Sequence, residues 1–147
     1  MSAAMNITTV RRYYEECAND DGDPAKTRAL AVTAEILSAD FAMYYNNQGA
    51  AEGMHGRDEH QAFLLRHTRN FAGERWTIEG IVADEELVAC RWRLQATHAE
   101  TGQPVDLRAA DFFTVRNGQL AELRRFLDYR TLMNQLHPPA TEPEARS

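Results

Sequence analysis

The period of the apolar residues switches once along this chain, and that switch limits the architectures open to it. Up to about residue 71 the spacing is helical. Ile7, Val10, Tyr13, Tyr14 and Cys17 make one stripe; Phe63, Leu64, His67 and Phe71 make another on a helix over 57–71. Between them, Asp23 and Pro24 supply a cap and a first-turn proline for a helix expected to run to about Ser38 and bury Leu30, Ala34 and Leu37. A short apolar segment, 41–45, and a loop over 47–53 follow. Beyond these, residues 76–83, 87–98, 105–115 and 120–127 read as long strands, separated by Asp84-Glu85, Thr101-Gly102-Gln103-Pro104 and Arg116-Asn117-Gly118. Asp128 caps a last helix, Tyr129 to Leu136. Helices first and a meander second is an α+β order. It predicts N-terminal helices packed in the concave face of a curved, mainly antiparallel sheet, an α+β cone or barrel with a short C-terminal helix and room inside for a ligand.

Composition narrows the function classes. With 147 residues, 44% of them hydrophobic, the chain can build one core without disulfides, so residues 1–136 are expected to form a single domain. Residues 137–147, opening on His137-Pro138-Pro139, carry too little apolar surface to offset their ordering and are expected to be a flexible tail. Sixteen basic against 22 acidic residues leave a formal charge of -6, which argues against nucleic-acid and membrane-surface partners. No apolar run approaches the roughly 20 residues of a membrane span. Two cysteines and an N-terminus unlike a signal peptide point to a reduced, cytoplasmic setting. His55, His60 and His67 lack the spacing and companions of a metal site, so no metal and no cofactor are expected.

The last hairpin carries the most chemistry. A three-residue loop, Arg116-Asn117-Gly118, pairs Val115 with Gln119 and sorts the side chains into two faces. Ala109, Asp111, Phe113 and Val115 then share a face with Ala121, Leu123, Arg125 and Leu127. In this register Asp111 lies opposite Leu123 and diagonal to Arg125. Charges on an apolar face need partners, so the two read equally as a self-satisfied structural pair or as site residues. Strand 87–98 leaves two readings open. Either Val88, Cys90, Trp92 and Leu94 face the core, or Arg91 and Arg93 look into a polar pocket and the tryptophan face meets a partner subunit.

Val10-Arg11-Arg12-Tyr13-Tyr14, Phe41-Ala42-Met43-Tyr44-Tyr45-Asn46, Arg91-Trp92-Arg93-Leu94, the run Ala110 to Leu120 and Phe126-Leu127-Asp128 resemble the SnoaL-like families of the nuclear transport factor 2-like superfamily, over residues 7–136. The resemblance implies the cystatin-like α+β cone and a superfamily of isomerases, cyclases, dehydratases, epoxide hydrolases and binders. Tyr13 is similar to the helix-1 oxyanion tyrosine of ketosteroid isomerases and Asp111 to their oxyanion acid, with Tyr45 at the position of their base. Tyr44, Asn46 and Arg91 are similar to the water-holding pair and central arginine of limonene epoxide hydrolases, whose two carboxylates fall at Arg93 and Arg125. The acid/base aspartate of polyketide cyclases falls at Arg125 and its accompanying histidine at Leu123.

Arginine where relatives carry an acid changes what a pocket prefers: a guanidinium over apolar walls suits a carboxylate, an enolate or a polarised carbonyl. The expected catalytic set is Asp111, Tyr13, Tyr45 and Arg125, and the expected binding set is Tyr44, Asn46, His55, Phe63, Arg91, Arg93, Phe113 and Leu123. The expected activity is cofactor-free isomerase-, cyclase- or lyase-type chemistry on a small apolar carbonyl or anionic compound. The alternative is a binding or sensing module for a small hydrophobic acid. A homodimer is expected through a convex sheet face carrying Trp92, Leu94, Phe112 and Phe126.

Overall fold

Every polar-to-apolar alternation in the second half of the chain is used by one six-stranded sheet in the computed structural model, which describes residues 2–139. The elements are α1 (Ala3–Arg12), a π-helical turn (Tyr13–Ala18), α2 (Thr27–Ile36), β1 (Leu37–Tyr45), β2 (Met54–His55), α3 (Arg57–Asn70), β3 (Phe71–Ala83), β4 (Leu87–His98), β5 (Pro104–Arg116), β6 (Gln119–Phe126) and α4 (Tyr129–Leu136). The sheet order is β2-β1-β6-β5-β4-β3, with β1 parallel to β6 and every other pair antiparallel. The helices cover its concave face. No helix among the described residues is long and apolar enough to cross a membrane. Of the predicted tail, residues 140–147 lie outside the described residues.

Local chemistry explains the departures from the sequence reading. Helix α1 does not run on regularly to Cys17. It widens into the π turn, closed by the Asn19 N–H donating to the Tyr14 carbonyl at 2.9 Å. The wider turn buries the neighbours Tyr13 and Tyr14 together. Asp23 accepts from the N–H groups of Ala25 and Thr27, so α2 starts later than Pro24. Its buried stripe is Ala29, Val32, Thr33 and Ile36, not Leu30 and Ala34, and Leu37 already belongs to β1.

The last hairpin differs in register. Asn117 and Gly118, both at positive φ, form a two-residue loop that pairs Arg116 with Gln119. A bulge then leaves Ala121 unpaired between Val115–Leu120 and Thr114–Glu122, so Leu120 and Ala121 are both buried. The bulge, not a longer loop, restores the sorting of faces. Past it, Asp111 lies directly opposite Arg125 rather than diagonal to it.

On β4 the core reading is the correct one. Trp92 and Leu94 are buried inside the cone, with Val88 and Cys90 beside them. They cannot belong to a convex interface. Of the four residues expected there, only Phe112 and Phe126 are exposed on the outer face, their rings 5.7 Å apart.

Candidate functional site

The parallel pairing of β1 with β6 sets Tyr45 beside Arg125, and the antiparallel pairing of β6 with β5 sets Asp111 on the other side. Arg125 is 2% exposed and Asp111 is fully buried. The guanidinium grips the carboxylate with two parallel bonds, Nε to Oδ1 and Nη2 to Oδ2, each 2.9 Å. The Tyr14 hydroxyl donates to the same Oδ2 and lies 3.2 Å from Cys90 Sγ. Both carboxylate oxygens therefore act as acceptors, for a cation and a hydroxyl. Burial works against the Arg125 charge, but Asp111 more than compensates and holds its pKa well above the usual value.

Next to this pair, Tyr13 shares a 2.7 Å hydrogen bond with His60 Nε2. Burial, aided by the Arg125 charge, pushes His60 down to about 3, so its imidazole is neutral. Burial likewise raises Tyr13, Tyr14 and Tyr45, and raises the thiols of Cys17 and Cys90 to about 12. None of these is a ready base near neutral pH. It is Tyr14, not Tyr13, that touches Asp111.

Above the pair, toward α4, opens a cavity of about 150 Å³. Its walls are Tyr45, His67, Phe71, Trp76, Trp92, Leu94, Val105, Leu107, Leu127, Tyr129 and Leu132, and Arg125 reaches into it. The guanidinium carbon sits 4.9 Å from the Trp76 ring centre and 5.0 Å from that of Trp92, packed against both rings, which themselves meet edge to face. The indole Nε1 atoms of both tryptophans are buried and have no hydrogen-bond partner. Buried donors of this kind are costly unless a ligand or water satisfies them. The cavity's donors are the guanidinium N–H groups not taken by Asp111; the two indole N–H groups are packed within the walls, out of reach of solvent. Among the described residues, no cluster of three or more His, Cys, Asp or Glu side chains is placed to hold a metal ion.

The residues singled out in the sequence divide sharply. Tyr45 and Arg125 line the cavity; Tyr13 and Phe63 line a narrow crevice that also meets Arg125. Asp111, Phe113 and Leu123 are sealed in the core. Arg91 and Arg93 lie on the convex face, where Arg93 forms a bidentate pair with Asp106 at 2.8 and 2.7 Å. The outer face takes them because β4 alternates and its other side holds Trp92. Tyr44 points away from Tyr45 and carries Arg124 over its ring at 4.5 Å. Asn46 accepts from the Leu127 N–H, and His55 bonds the Glu52 carbonyl from an exposed position. Sequence reasoning missed His67, Phe71, Trp76, Trp92 and α4 as cavity walls. The alternation of β4 was the available signal, because placing Trp92 inward also places it over Arg125.

Comparison with known proteins agrees with this geometry. The model of the SnoaL-like domain matches residues 10–123. A protein from Jannaschia sp. CCS1, provisionally named a SnoaL-like polyketide cyclase, superposes with a TM-score of 0.80 at 22% identity, over 94% of this chain and 95% of that one. TsrD from Streptomyces laurentii gives 0.75 at 16%, over 95% and 99%. IdmH from Streptomyces antibioticus, provisionally named a polyketide cyclase, gives 0.70 at 23%, over 88% and 96%. At these identities the likeness shows the fold alone. No curated protein matches the chain in sequence.

Proposed function

Because the chain belongs to the SnoaL-like domain family, a family of small-molecule and cyclase-type proteins, we propose that it binds a small, mostly apolar carbonyl or carboxylate compound in the cavity above Arg125. The reaction we assign is cofactor-free proton chemistry of the isomerase, cyclase or lyase type. The observation that carries this reading is that Arg125 reaches into a cavity walled by aromatic side chains, Trp76 and Trp92 packed on its guanidinium. Such a set stabilises an acceptor oxygen, most strongly one that gains negative charge. Size limits the occupant. Drug-sized ligands need roughly 300–1,000 Å³, whereas a cavity near 150 Å³ takes about one benzene ring.

The test compares benzoate with toluene by calorimetry. Benzoate should bind at least tenfold more tightly, about 1.4 kcal/mol. Removing Arg125 alone risks unfolding, so the variant is the double replacement Asp111→Leu with Arg125→Met, an apolar pair of similar bulk. It should stay folded and lose the preference; equal binding of both probes by the natural chain would refute the reading. A pure binding module is the second reading, favoured by the complete pairing of Asp111. The proposed homodimer uses the convex patch of Val82, Phe112 and Phe126. Phe112→Arg should convert it to a monomer in light scattering, and a monomeric natural chain would contradict it.

A further inference from the structure

With Asp111 locked and the tyrosines raised by burial, the cavity needs another group if protons are to move, and one is present. We propose that His67, oriented by Glu74, is the catalytic residue that takes a proton from the ligand and returns it. This inference rests on the reading of the cavity as a site for a carbonyl compound.

The local backbone explains why Glu74 is where it is. Between Ala72 and Arg75 the pairing of β3 with β4 breaks into a bulge, with Gly73 at φ +65°. A glycine in that conformation re-aims the next side chain. Glu74 turns inward, its side chain 2% exposed, under the last turn of α3. There its Oε1 lies in ion-pair contact with His67 Nδ1, although it accepts no hydrogen bond. In this proposal the carboxylate beside Nδ1 keeps the proton on that side of the ring, and Nε2 is the atom that accepts. Nε2 has no hydrogen-bond partner among the described residues.

The ring lines the cavity and also the crevice behind it, and it shares both with Trp76 and Arg125. Phe63, Phe71 and Trp76 hold it, with ring centres at 5.5, 4.7 and 6.0 Å. Base and oxyanion donors thus stand on one aromatic wall.

The step balances without any co-reactant. The C–H bond next to the carbonyl breaks, and its proton passes to Nε2. Its electron pair forms the new C=C bond while the carbonyl π pair moves onto oxygen. Arg125 receives that oxygen; Glu74 balances the imidazolium. Return of the proton to the same carbon is exchange, and return to another carbon is isomerisation.

Acetophenone in D₂O tests this, because it is cavity-sized and its methyl protons report each abstraction. The natural chain should incorporate deuterium above the buffer rate, saturably. His67→Gln should lose about a hundredfold of that exchange while binding acetophenone within threefold of the natural chain. Glu74→Gln should lose roughly tenfold, with the ¹⁵N shifts of His67 showing loss of the single Nδ1–H tautomer. A packing role would leave that tautomer unchanged. If Glu74→Gln fails to fold, the His67 variant decides. Exchange by His67→Gln at the natural rate, or acetophenone bound without exchange, overturns the inference and leaves the cavity reading intact. Failure of acetophenone to bind overturns both.

Discussion

The floor and the mouth of the cone are built from similar residues and obey opposite rules. At the floor, Asp111, Arg125 and Tyr14 satisfy one another, and Tyr13 is matched to His60 Nε2, while His60 Nδ1 is buried without a partner. At the mouth, Arg125 reaches into a cavity that His67 also lines. The floor is therefore a structural network, in which each group needs the others. The mouth is poised for something that is not part of the chain. Unspent hydrogen-bonding capacity alone does not mark the site; a charge that reaches an open cavity does.

The comparison breaks most visibly at the floor. Asp111→Ala leaves a buried guanidinium unpaired and should cost about 3–5 kcal/mol in denaturant unfolding. A cost under 1 kcal/mol would mean that Arg125 is not confined by its partner. Tyr14→Phe removes one hydrogen bond to a charged group, for an expected loss of about 1.5–3 kcal/mol.

His60 adds a pH dependence to the same network. Its folded pKa, about 3, lies below the unfolded value of roughly 6.5. Between these limits the unfolded chain binds the extra proton. The stability from the neutral imidazole is thus complete above about pH 6.5 and falls by about 1.4 kcal/mol per unit as pH drops toward 3. His60→Gln keeps a partner for Tyr13 without a titrating group and should flatten that slope; an unchanged slope would show that other groups cause it.

The smallest effect belongs to the mouth. Trp76→Phe shrinks one of the two rings packed on Arg125, so it should weaken benzoate binding about fivefold, about 1 kcal/mol of cation–π contact. Stability should change less than in either floor variant.

Much of this fold was legible in the sequence because period and punctuation agree. The strand limits of β4, the Asp128 cap and the order of elements follow from local chemistry. Non-local choices were not legible. A two-residue loop with a bulge and a three-residue loop sort the same residues nearly alike, and only pairing distinguishes them. The site was half legible for the same reason. An arginine on an apolar face announced itself, and it does reach the cavity. Tyr13 and Tyr14 could not be told apart by helical spacing, since a π turn buries both. The alternation of β4 fixed Trp92 and Arg93 on opposite faces but not which face was inside. His67 looked like an ordinary core histidine because nothing local announces that Glu74, seven residues on, turns under it.

An acceptor oxygen bound at Arg125 perturbs the two tryptophans packed on that guanidinium. The chain has two tryptophans, so its ¹H–¹⁵N spectrum carries two indole signals, and both belong to this cavity. Titration with benzoate should move both saturably, with toluene producing much smaller shifts. Indole signals that stay fixed while benzoate binds would contradict the claim.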